Sequence, residues 1–72
     1  MIPMADGVIL YLARRLHAPL GAVLERYVVL VSDGRVLGWY PFDDEVQSML
    51  LVDEMFLSSG GDGTLLVESV RF

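Results

Sequence analysis

The sequence predicts an all-β domain, a small five-stranded sandwich or partly open barrel built from two hairpins and occupying residues 1–72 as a single domain. Three observations lead there. Turn signals at Asp6-Gly7, Ala18 to Gly21, Asp33-Gly34, Pro41 to Glu45 and Ser58 to Gly63 leave segments of about seven to thirteen residues, the spacing of an all-β chain. Asp33-Gly34 lies between runs of β-branched and aromatic residues, and that dipeptide supplies the positive φ at both central positions that a type I′ hairpin turn needs. The load is apolar, 54% of the chain even before its seven glycines are added, in a length where little surface can be hidden.

Taken in chain order, Val8 to Leu16 reads as a strand, with a helix as the competing pattern. Tyr27 to Ser32 and Arg35 to Tyr40 form the first hairpin. A two-residue turn pairs Ser32 with Arg35, Val31 with Val36, Leu30 with Leu37, Val29 with Gly38, Val28 with Trp39 and Tyr27 with Tyr40. In that register both faces are apolar, so both need a cover, either a second layer or another subunit. Met49–Leu57 and Thr64–Phe72 form the second hairpin through "SSGGDG", with a break in alternation near Glu68 that invites a bulge. The alternative is an α+β fold with a helix at about 45–57, where Asp44 would cap and Gln47 would close the capping box. Asp53 interrupts the apolar stripe of that helix.

Composition excludes several functions. There is no cysteine and only one histidine, His17, so neither a disulfide nor a zinc site is expected to staple the fold. Net charge is −5, with five arginines and no lysine; positions 14, 15, 26, 35 and 71 look scattered, and Arg14 and Arg15 would point to opposite faces of a strand. Nucleic acid is therefore not an expected partner. The apolar runs are far shorter than the roughly 20 residues of a membrane helix. Asp6 before the first apolar run and Arg14-Arg15 after it invert the charge order of a signal peptide, and the cytoplasm is the default location.

The candidate motifs are few. "GGDGT" at Gly60 to Thr64 resembles the phosphate-binding motif of NAD kinases and diacylglycerol kinases, which implies a strand before it and a helix after it; a plain hairpin loop is the competing reading. Asp43, Asp44 and Glu45 offer oxygen ligands to a divalent cation, but without EF-hand spacing they read as a solvated turn. Asp53 and Glu54 face opposite ways on a strand and signal less. His17 is by residue type a candidate switch or base, but it has no partner assignable from sequence. No catalytic residue, cofactor or metal is expected. The expected function is non-enzymatic protein association, most simply a homo-oligomer, with Tyr27, Leu37, Trp39, Tyr40 and Phe42 as interface candidates because aromatic residues dominate hot spots. The alternative is a small-molecule or nucleotide-binding accessory module that uses the aromatic cluster or the Gly60–Thr64 loop.

"GVILYLARRLHAPLGAVLERYVVLVSDGRVLGWYP" also resembles the opening segment of amidohydrolase-superfamily enzymes, through Val28 to Val31, Asp33, Gly34, Arg35, Val36 and Pro41. In that family the segment belongs to a small β-sandwich beside the catalytic barrel. The resemblance implies a sandwich without the barrel: where the family continues into its metal-binding histidine pair, this chain has "FDDEVQSMLLVDEMF". A free-standing unit of that kind would cover its sheet by self-association.

Overall fold

The computed structural model describes residues 7–43 and 49–72. Five strands occupy them: β1 (Val8–His17), β2 (Val23–Ser32), β3 (Arg35–Pro41), β4 (Leu50–Ser59) and β5 (Leu65–Arg71). The chain is all-β. The helix alternative is overturned where it can be seen, because β4 takes up Leu50 onward; residues 44–48, including the expected cap at Asp44 and Gln47, lie outside the described residues.

The strands close in the order β1-β2-β3-β5-β4. A ring of five cannot be antiparallel throughout, because alternating directions around an odd ring must clash once. Here the clash is resolved between β1 and β4, which run parallel from Tyr11↔Leu50 to His17↔Phe56, while the other four neighbours are antiparallel. The β3·β5 seam is the short one, held by the Arg35↔Leu66 pair and by the Val67 N–H donating to the Gly34 carbonyl at 2.9 Å.

The first hairpin turn is the expected one. Asp33 has φ 57° and Gly34 φ 81°, so both central residues adopt the left-handed conformation of type I′, and Ser32 faces Arg35. Beyond Val31↔Val36 the expected register is corrected. Leu30 pairs with Gly38, Val29 with Trp39, Val28 with Tyr40 and Tyr27 with Pro41, which leaves Leu37 unopposed in a bulge. One extra residue moves every later side chain to the other face, so Trp39 joins the interior and Tyr40 the exterior. The bulge expected at Glu68 is present: Phe56 pairs with Ser69 and Leu57 with Val67. Val70 thereby turns inward with Leu65 and Val67 instead of outward.

The interior shows what these bulges accomplish. Its residues are Tyr11, Ala13 and Leu16 from β1; Leu24, Tyr27, Val29 and Val31 from β2; Val36 and Trp39 from β3; Val52, Met55 and Leu57 from β4; and Leu65, Val67 and Val70 from β5. Every strand makes one three-residue step between interior positions: Ala13 to Leu16, Leu24 to Tyr27, Val36 to Trp39, Val52 to Met55, Val67 to Val70. Strict alternation would flip a strand's apolar set outward, whereas one step per strand lets each strand coil around a narrow core without presenting a charge to it. No buried side-chain polar atom is left without a hydrogen-bond partner among the described residues.

Candidate functional site

The step puts two consecutive residues outside the core in each strand, and on β1, β2 and β4 those residues are charged: Arg14-Arg15, Glu25-Arg26 and Asp53-Glu54. Register brings them to one level, since Arg15 is opposite both Glu25 and Glu54. The expectation that Arg14 and Arg15 diverge, and Asp53 and Glu54 likewise, is therefore corrected. Arg14 Nη1 sits 3.3 Å from Asp53 Oδ1, and Arg15 Nη1 sits 3.8 Å from Glu54 Oε2. Three of the five arginines, Arg14, Arg15 and Arg26, line one groove, while Arg35 lies at the β2–β3 turn. Arg26 has φ 60°, uncommon for a residue with a β-carbon, and its guanidinium carbon lies 5.9 Å from the centre of the Phe42 ring. The Phe42 N–H donates to the Arg26 carbonyl at 2.9 Å, which extends the β2·β3 ladder past Pro41.

A groove of about 670 Å³ opens at this level, lined by Leu12, Leu51 and Phe72 with Arg14, Arg26 and Asp53 among its polar walls. Beside it on the same parallel seam, His17 Nε2 lies 3.1 Å from Glu54 Oε1 and its ring stacks on Phe56 with centroids 4.2 Å apart. His17 thus has the partner that sequence could not assign, across 37 positions. Only pairing in the fold could reveal it.

The second candidate surface is the outside of the sheet. Leu12 is opposite Leu51 on β4 and Val28 on β2, and Val28 is opposite Tyr40 on β3, so Leu51, Leu12, Val28 and Tyr40 form one row across four strands. At about 4.8 Å between strands the row spans roughly 15 Å. Leu10 and Leu30 form a parallel row that meets β3 at Gly38, with Leu37 next to it in the bulge. Val28 is fully buried although it is not part of the interior cluster, while Leu51 and Leu37 are 70% and 59% exposed. The middle of the outer face is thus covered within one chain, and its margins are open. Of the interface candidates, Leu37 and Tyr40 lie on this face, Phe42 lies beneath Arg26, and Tyr27 and Trp39 pack into the interior.

The Gly60–Thr64 loop is a self-contained turn. The Gly60 N–H donates to the Thr64 carbonyl at 2.7 Å, and Asp62 Oδ1 accepts from both the Thr64 hydroxyl at 2.8 Å and its backbone N–H at 3.2 Å. The Thr64 hydroxyl, more than its N–H, holds the exposed Asp62 carboxyl below its ordinary value. Strand β5 follows, not the helix that the kinase-like motif implies. No group of three or more metal-ligating side chains occurs among the described residues, and Asp44 and Glu45 lie outside them.

Fold and surface together describe a five-stranded closed β-barrel with an apolar outer face beside an arginine-bearing groove. No family model, no curated protein and no solved structure matches this chain.

Proposed function

We propose that this barrel is a non-enzymatic association domain whose outer apolar face, between Leu51 on β4 and Leu37 and Tyr40 on β3, packs against a second copy. The observation that carries the reading is the exposure of Leu51 and Leu37 at the margins of a face whose centre, Val28, is already dry. A dry centre with apolar margins needs only a flat neighbour to complete it.

A two-fold interface repeats the same patch on both copies, so it has to be nearly neutral in a chain that carries −5 overall. Leu10, Leu12, Val28, Leu30, Leu37, Tyr40 and Leu51 meet that requirement because none is charged. Dilution followed by amide NMR spectra tests the reading. Concentration-dependent shifts should map to Leu12, Val28, Leu37, Tyr40 and Leu51; shifts absent there, or confined to Gly60–Thr64, contradict it.

A further inference from the structure

We infer that the Asp33-Gly34 turn is a modification site, where the chain converts by its own chemistry to an isoaspartyl linkage, and that this conversion unlocks the short β3·β5 seam. The inference is independent of self-association, since the turn sits at the tip of the first hairpin and includes none of Leu37, Tyr40 and Leu51.

An aspartate followed by glycine sets a carboxyl beside a backbone amide that no β-carbon shields. In the first step the Gly34 nitrogen attacks the protonated side-chain carboxyl of Asp33: a C–N bond forms, a carboxyl C–O bond breaks, and the amide hydrogen leaves with the hydroxyl as water. Water then adds to either carbonyl of the cyclic imide. Opening on the main-chain side routes the backbone through the former side-chain carboxyl and leaves the α-carboxyl free. The water lost is regained, so mass and net charge are unchanged.

Asp33-Gly34 and Asp62-Gly63 both lie within the described residues, and the fold treats them differently. At Asp62-Gly63 both reactants are held: the Gly63 N–H donates to the Gly60 carbonyl at 3.2 Å, and Asp62 Oδ1 accepts from the Thr64 hydroxyl and amide. Those bonds to Oδ1 also favour the carboxylate over the acid that reacts. At Asp33-Gly34, among the described residues, neither the carboxyl nor the Gly34 N–H has a hydrogen-bond partner. Both residues are exposed and nothing lies within 4 Å of where a Gly34 β-carbon would stand, so the turn has room to bring the amide onto the carboxyl. The consequence reaches the seam. The Gly34 carbonyl accepts from the Val67 N–H at 2.9 Å, and with the Arg35↔Leu66 pair that bond joins β3 to β5. An isoaspartyl linkage adds a carbon to the backbone of a turn that depends on left-handed φ at both central residues, so it carries the Gly34 carbonyl away from Val67.

The test incubates the whole chain at mildly acidic pH, native and in concentrated urea, and maps isoaspartate in its proteolytic peptides by electron-based fragmentation. In urea the two pairs should convert at similar rates, because each is then an unrestrained Asp-Gly. In the native chain Asp33 should keep converting while Asp62 falls about tenfold behind it, the factor that one charge-assisted hydrogen bond is worth. Asp33→Asn suits the same turn and so keeps the fold; it should convert faster and gain mass, because ammonia leaves and water enters. In the converted chain the Val67 amide should lose its protection from hydrogen exchange while the β1·β2 ladder keeps its own. Equal conversion at both pairs in the native chain, or Asp33 slowed by folding as much as Asp62, would overturn the modification site. A Val67 amide that stays protected after conversion would overturn its link to the seam.

Discussion

Leu16→Ala and Arg15→Ala form a pair whose outcomes depend on the three-residue step in β1. Counting by alternation from Ala13 puts Arg15 inside and Leu16 outside; the barrel reverses this, with Leu16 fully buried and the Arg15 side chain 54% exposed. Truncating a buried leucine costs about 2–5 kcal/mol through lost transfer energy and the cavity left behind. Losing Arg15 removes a half-exposed ion pair at 3.8 Å, which is worth about 1 kcal/mol or less. At about 0.05–0.15 kcal/mol per residue, the 72-residue chain has roughly 4–11 kcal/mol in all, so Leu16→Ala takes a large share of it. Urea unfolding followed by Trp39 fluorescence reads both. With a slope near 1 kcal/mol per molar for so small a domain, the Leu16→Ala midpoint should fall by about 2 M or more and the Arg15→Ala midpoint by less than about 1 M. Equal losses, or a larger loss for Arg15→Ala, would refute the step and with it the shared level of Arg14, Arg26 and Asp53.

Two further outcomes follow from local geometry. Gly34→Ala places a β-carbon at φ 81° in the type I′ turn and should cost about 1 kcal/mol in the same urea titration, although open space surrounds the position. Asp62 supplies a pH signature: its folded value is lowered by Thr64, so its contribution is present above the ordinary value of 3.8 and lost as pH falls through the lower folded value. Proton exchange at the Thr64 amide should quicken, relative to its intrinsic rate, in that acid window, and Asp62→Asn should remove the pH dependence.

What the sequence disclosed was chiefly local. The type I′ turn at Asp33-Gly34 was legible because its φ requirement is met by adjacent residues, and the Glu68 bulge because alternation visibly fails there. The bulge at Leu37 was hidden in an unbroken apolar run, Val36 to Tyr40, where sliding by one residue leaves the pattern equally apolar. That single slip misassigned Trp39. The charged level was spelled out as the tetrads "ARRL", "LERY" and "VDEM", each an apolar pair around two charges. Its meaning depends on the parallel β1·β4 pairing, a contact between distant segments that no local pattern encodes. His17 and Glu54 were missed for the same reason.

Self-association through the outer face is tested most directly by sedimentation equilibrium over a micromolar range on the unaltered chain and on Leu51→Glu. The unaltered chain should sediment at twice its 8.0 kDa mass, and a charge at the 70%-exposed Leu51 should return it to a single copy without loss of fold. A clean 8.0 kDa species for the unaltered chain, with no exposed-surface dye binding, would contradict it.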